Sequence, residues 1–228
     1  MINARPLRAD AGASVGLLEV RRHNLALVMA HLRASGARSR APIAAETGLN
    51  KATVSSLVAE LVERGLVAEG ETERGAVGRP SQQVDLHGGA FFTVGTEINL
   101  GYLAVVALNV RAEVVAERWV PLDADGLDAR VSIPRLAQLV LEVVDPLVRA
   151  GGELVGVTFA VPGLVERSTG RVLRAPNLGW SQIPVVETMR TLLGDPGDPL
   201  LLDNEANLAA RAEVEAADRV GVDHLVLL

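Results

Sequence analysis

The chain has 228 residues, 49% hydrophobic and 22% charged, with no Cys and four His (His23, His31, His87, His224) at no metal-ligand spacing, which describes a globular protein with a sizeable core and excludes disulfides and thiolate metal sites. Its net charge of −6 is uneven: residues 1–87 carry 11 Lys+Arg and 9 Asp+Glu, residues 88–228 carry 11 and 19, so an anionic partner is expected at the front alone. No run of about 18 apolar residues argues for a membrane span, and residues 1–13 hold Arg5, Arg8 and Asp10 without an apolar h-region, so the reading is no membrane, no secretory leader and a cytoplasmic location.

Residues 1–16 lack a period and are expected as a flexible arm. Residues 22–35 read as a helix, with Leu25, Val28, Met29 and Leu32 at i, i+3, i+4 and i+7, ended by Gly36. Ser39 precedes a short helix over 42–47 that opens on a tolerated Pro42 and closes at Gly48. Asn50 is a natural N-cap for a third helix over 51–64, stopped by Gly65. Two strand-like pieces follow, 66–69 and 82–86, around a Gly-rich charged loop over 70–81. Helix, short helix, Gly turn, helix and hairpin make a winged helix-turn-helix over residues 17–87.

From Gly88 the pattern changes. Strand-length runs at 91–97, 101–109 and 114–120 suggest an antiparallel meander. A helix over 133–150 places Leu136, Leu139, Val140, Val143 and Val144 on one face. A buried strand at 154–161, a helix at 185–193, a short strand at 200–203, a helix at 206–217 and the start of a strand at 225–228 complete an α/β domain over residues 88–228.

On the third helix Val54, Leu57, Val58, Leu61 and Val62 form an apolar stripe. Opposite it lie Ala52, Ser56, Ala59 and Glu63, flanked by Thr53 and Ser55. That small, polar face suits a major groove, where Thr53, Ser55 or Ser56 reach base edges or phosphates. Asn50 and Lys51 stand at the positive end of the helix dipole, where phosphate binds. Glu60 and Glu63 would repel it, so contacts belong to the N-terminal half. In the hairpin loop Arg79, held between Gly78 and Pro80, suits a narrow minor groove. The alternative reading of this unit is a protein-interaction module.

Three segments of the rear suggest a ligand. Val161-Pro162-Gly163 ends a buried strand, where ligands of α/β sheets gather. Ala175-Pro176-Asn177-Leu178-Gly179-Trp180 reads as a loop with an amide and an aromatic ring. Leu202-Asp203-Asn204-Glu205-Ala206-Asn207 sets amides and carboxylates at a helix start, a donor and acceptor set that suits sugar hydroxyls. Each alone is also explained as a capped turn.

Together with Asn50-Lys51-Ala52-Thr53-Val54-Ser55 and Gly78-Arg79-Pro80, these segments resemble, in order and spacing, the ROK family of bacterial repressors, open reading frames and sugar kinases. Its regulator branch includes xylose- and N-acetylglucosamine-responsive repressors. The resemblance implies a winged helix-turn-helix followed by an actin-like (ribonuclease H-like) lobe. It also implies double-stranded operator DNA and a monosaccharide effector as partners, and a homodimer or higher homo-oligomer. The sugar contacts it implies are Gly163, Asn177, Asn204 and Glu205.

Two departures stand out. Kinase members carry an Asp where this chain has Glu205, and an Asp-x-Gly-Gly-Thr phosphate loop where it reads Glu97-Ile98-Asn99-Leu100-Gly101. Side chains there obstruct backbone approach to a polyphosphate, so the expectation is no ATP binding and no enzyme activity. That weighs against the third reading, a glucokinase-like sugar kinase. The chain also stops inside what the family carries as a strand, which reads as a C-terminal truncation; no cofactor is expected here, because the family's Cys-rich zinc loop would lie beyond residue 228.

Overall fold

The computed structural model describes residues 15–72, 82–123, 127–194 and 199–216. Contacts divide these into two units: the first runs to Phe91 and includes the Asn109–Glu113 turn, and the second holds Phe92–Leu108 and the residues from Val114 onward. Arg74, Arg79 and the expected final strand at 225–228 lie outside the described residues.

The first unit contains α1 (Val15–Ser35), β1 (Arg38–Ser39), α2 (Arg40–Thr47), α3 (Lys51–Glu63), β2 (Val67–Thr72) and β3 (Gln82–Leu86). Its core follows the helical period. Val28 and Leu32 of α1, Ile43 of α2, and Val54, Leu57, Val58 and Leu61 of α3 are buried with Val67, Val84 and Leu86 of the strands. Between α2 and α3 the chain reverses at Gly48 with φ +73, a left-handed conformation that side chains disfavour. β2 and β1 both pair antiparallel with β3, so the hairpin is tied back to the segment entering α2.

Three differences from expectation have physical reasons. Helix α1 begins at Val15, ahead of the expected start at residue 22. Its first turns expose Leu17, Leu18 and Val20, and without burial they leave no periodic signature. Val62, expected on the apolar stripe of α3, is 37% exposed, since the stripe drifts off the packed face by the last turn. Strand β1 has two residues, too few to show alternation.

The second unit contains β4 (Phe91–Ile98), β5 (Tyr102–Asn109), β6 (Val114–Pro121), α4 (Ala129–Arg149), β7 (Glu153–Val161), β8 (Leu164–Glu166), β9 (Arg171–Ala175), a 3-10 turn (Pro176–Leu178), β10 (Trp180–Ile183), α5 (Val185–Leu193), β11 (Leu200–Asn204) and α6 (Glu205–Ala216). Five strands lie in the order β11-β7-β4-β5-β6, with β11 parallel to β7 and β5 antiparallel to β6. Buried residues of α4 and α5, among them Leu136, Val140, Val144 and Met189, join Val94, Leu103, Val105 and Phe159 of the sheet in one core. The other face of the sheet is half bare, with Trp119 61% and Leu201 57% exposed. Helix α4 begins before its expected start because Asp128 caps it, accepting a 2.8 Å bond from the Arg130 N–H. The Arg130 guanidinium and backbone together hold the Asp128 carboxyl down to about 2.

The small antiparallel sheet β8-β9-β10 replaces the loop expected around Trp180. Its strands are short, and its pairing is fixed by turns rather than by a long alternating pattern.

Because Leu57 is 1% exposed at the centre of the first core, Leu57→Ala is expected to destabilise that unit by about 2–5 kcal/mol. Urea unfolding followed by circular dichroism measures it; a loss below about 0.5 kcal/mol is incompatible with this core.

Candidate functional site

Helix α3 shows which of its side chains are free. Asn50 stands at its N-cap and its Oδ1 accepts the Thr53 N–H at 2.8 Å, so its amide nitrogen and the second lone pair of Oδ1 remain for a partner. Lys51 follows, exposed in the first turn. The Ser55 hydroxyl is exposed but donates to the Lys51 carbonyl at 2.9 Å, and Thr53 is half-buried.

Ser56 is exposed on the face that the spacing places opposite the apolar stripe, and Glu60 lies half-buried beside it. Arg21 of α1 reaches both: its Nη2 lies 3.4 Å from Ser56 Oγ and 2.5 Å from Glu60 Oε2. Arg64 takes the other Glu60 oxygen at 2.5 Å. The repulsion expected from Glu60 is therefore offset by two guanidinium groups. The open face carries Ala52, Ser55, Ser56, Ala59, Val62 and Glu63, all exposed and adjacent around one side of the helix. Arg40 of α2 pairs with Glu69 of β2, fixing the wing strand to the helix before the turn.

In the second unit, parallel pairing sets Asp203 beside Ala160 and Asn204 beside Val161, so the ends of β7 and β11 meet. Gly163 follows β7 with φ +131. A Cβ there would stand 2.5 Å from the Arg174 carbonyl and 2.8 Å from Ala175 Cα, so no side chain fits. The Asn204 amide donates to the Gly163 carbonyl at 3.0 Å and to Glu205 Oε2 at 2.7 Å, while its Oδ1 accepts from the N–H groups of Ala206 and Asn207. Asn204 thus caps α6 and braces the Gly163 loop at once. Gly163, Asn204 and Glu205 come together as expected.

Asn177 does not join them directly. It is exposed on the 3-10 turn and lines a separate concavity of about 560 Å³ with Asp128, Arg130 and Trp180. Trp180 itself is 3% exposed, and its indole donates to the Leu127 carbonyl at 2.7 Å. It is a core residue, not a ring open for stacking.

Arg167, which sequence reasoning does not select, joins the cluster through Asp203, which that reasoning takes only as one carboxylate of the helix-start segment. Asp203, 4% exposed, accepts from the Asn204 N–H at 2.9 Å and the Asn207 amide at 3.3 Å. Its second oxygen lies 3.3 Å from Nε of Arg167, in the β8–β9 turn. A carboxylate just before a helix cap signals a turn, and nothing in the sequence shows that it points inward. Asp203, Glu205 and Arg167 line a broad cavity of about 1270 Å³ that also reaches Glu97, Trp119 and Arg211.

The turn between β4 and β5 is closed on itself. Glu97 Oε1 accepts from Tyr102 at 2.8 Å and from the Asn99 amide at 2.7 Å; the Asn99 and Leu100 N–H groups bond to the Tyr102 carbonyl and to Asn99 Oδ1. Burial and the adjoining Glu97 carboxylate push the Tyr102 hydroxyl above its ordinary range. Among the described residues no group of His, Asp or Glu is placed to hold a metal ion, and no helix is long and apolar enough to cross a membrane.

Comparison with known proteins gives two family matches: the ROK family over residues 128–228 and the MarR family over residues 26–76. The chain is 30% identical over 176 residues to a xylose repressor of Caldicellulosiruptor bescii, covering 77% of this chain and 43% of that protein. It is 24% identical over 194 residues to the xylose repressor of Bacillus subtilis, covering 85% of this chain and 49% of that one. The chain therefore spans less than half the length of these relatives. Its fold matches the crystal structure of a ROK family transcriptional regulator, homologous to the E. coli MLC protein, with a TM-score of 0.63 at 20% identity, over 86% of this chain and 48% of that chain.

The cap geometry at α3 yields a measurable expectation. Asn50→Ala should lower the stability of the first unit by about 1 kcal/mol, read as a shift of the urea midpoint at unchanged slope. Asn50→Asp, which keeps an acceptor, should restore it.

Proposed function

We propose that this chain, which joins a MarR-family helix-turn-helix to a ROK-family domain, acts in a DNA-binding transcriptional repressor whose grip on its operator is set by a sugar. The observation that carries this reading is the open stripe of α3, small along its length, beginning at a capped N-terminus with Lys51, and braced behind by Arg21 and Arg64. Such a face enters a major groove without bulk, while the helix N-terminus receives phosphate.

Asn50, Lys51, Thr53 and Ser55 are read as the contacts on this helix, with Arg79 contributing from the wing. Ser56, exposed on the same face and within 3.4 Å of Arg21, is read with them. The relatives named as xylose repressors support a monosaccharide as the effector, and this reading assigns it to Gly163, Asn204 and Glu205, with Asn177 on the neighbouring turn. Two copies on a palindromic operator follow from the two-fold logic of helix-turn-helix binding. Sugar and DNA would then be linked as two ligands of one two-state protein.

Sugar kinase chemistry is not part of this reading. A phosphate loop offers free backbone N–H groups, but here those of Asn99 and Leu100 are consumed within the turn, which presents the Glu97 carboxylate instead. Incubation with ATP, magnesium and D-xylose or D-glucose is expected to give no sugar phosphate; turnover above the protein-free rate rejects this view.

The DNA reading is tested by selection from a randomised duplex library. Enrichment of one sequence family is expected, with affinity falling steeply as salt rises. Lys51→Ala and Arg79→Ala should each weaken binding by about threefold or more with little change in stability. A library that emerges unenriched after repeated rounds would remove the assignment.

A further inference from the structure

We propose that Arg21 and Arg64 grip the phosphate backbone of DNA beside α3, and that Glu60, an acid on that helix, is the positioning residue that aims them. This rests on the DNA reading above and adds to it a backbone contact supplied by α1.

The basis is the layering of charge. The Glu60 side chain is 16% exposed, against 46% for Arg21 and 44% for Arg64, so the anion lies inside and the cations outside. Glu60 Oε2 accepts from Arg21 Nε at 2.7 Å and lies 2.5 Å from its Nη2. Glu60 Oε1 lies 2.5 Å from Arg64 Nη2. Each carboxylate oxygen is thus turned to a different guanidinium, and two cations around one anion leave the group net positive. Nη1 of Arg21 makes no hydrogen bond among the described residues, and an amino group of that kind suits a phosphate oxygen.

Place and preorganisation point the same way. Nη2 of Arg21 also reaches the exposed Ser56 Oγ at 3.4 Å, which sets the cluster at the border of the open face. Ser56, Glu60 and Arg64 follow one another at i, i+4 and i+8, along one flank of α3. A helix seated in a major groove has phosphates along its flanks. A long side chain that is already held in place loses less freedom on meeting a phosphate than a free one. Glu63 supplies the contrast. It is exposed on the open face and has no ion pair among the described residues, so its carboxylate opposes a polyanion where that of Glu60 is spent on orienting cations.

Fluorescence anisotropy of the 228-residue chain on two labelled duplexes, the one recovered by the selection above and one of mixed sequence, tests this across a salt series. Arg21→Gln is expected to weaken binding about threefold or more on both duplexes alike, since phosphates carry no sequence. It should also make the slope of log affinity against log salt shallower by about 0.9. Arg21→Lys, a cation without the planar fork, should recover part of the loss. Glu60→Gln should likewise weaken binding and flatten the slope at an unchanged unfolding temperature, whereas Glu63→Gln should strengthen binding. If Glu60→Gln strengthens binding as Glu63→Gln does, or if Arg21→Gln changes neither affinity nor slope while Lys51→Ala still weakens binding, the inference is overturned and the DNA reading stands. A loss in Glu60→Gln that comes with a lower unfolding temperature and an unchanged slope overturns it equally. If neither duplex is bound, both readings are overturned.

Discussion

No side chain can exist at position 163, and the rear site is arranged around that exclusion. The backbone there passes so close to Arg174 and Ala175 that only a hydrogen fits, in a conformation favourable to glycine alone. The close approach holds β8 against β9 and turns the Gly163 carbonyl toward Asn204. Parallel pairing of β11 with β7 supplies the other half of the arrangement. Asn204 meets both demands, capping α6 with its oxygen and bracing the loop with its nitrogen. Its amide also holds Glu205, while strand pairing sets Asp203, which in turn engages Arg167.

The front unit depends on a comparable economy of charge. Glu60 and Glu63 place two carboxylates in the later turns of α3, and Glu60 is the one that the ion pairs compensate. Here α1 overlaps α3 far enough for Arg21 to reach Glu60, and Arg64 closes on it from the next turn. Exposed ion pairs of this kind contribute little to stability. Their effect is on the field that an approaching polyanion meets. Ser56 touches the same guanidinium and stays exposed, so it remains part of the open surface with Ala52, Ser55 and Ala59.

The general architecture was legible because burial leaves a period in the sequence. Val54, Leu57, Val58 and Leu61 announce α3, and Leu136, Val140 and Val144 announce α4. Glycines at 36, 48 and 65 mark the helix ends. What was hidden has a common cause. The first turns of α1 are helical without being buried, β1 and β8 are too short to alternate, and Trp180 looks like a loop residue until β9 pairs with β10. At the sites, Asn50 and Asn204 were legible as caps and as candidate contacts together, since one amide can do both. Asp203 and Arg167 were not, because the inward turn of a carboxylate is fixed by strand pairing rather than by its neighbours in sequence.

The two tryptophans sit in opposite environments within the second unit. Trp119 lies open on the sheet face against Tyr102, at 5.7 Å between ring centroids, and Trp180 is enclosed and hydrogen-bonded to Leu127. With Tyr102 the single tyrosine of the chain, all the indole and phenol chromophores belong to this unit, and the helix-turn-helix has none. Intrinsic ultraviolet emission is therefore a selective reporter of this unit: a red-shifted component follows events at the bare sheet face, and a blue-shifted one follows the integrity of β8–β10.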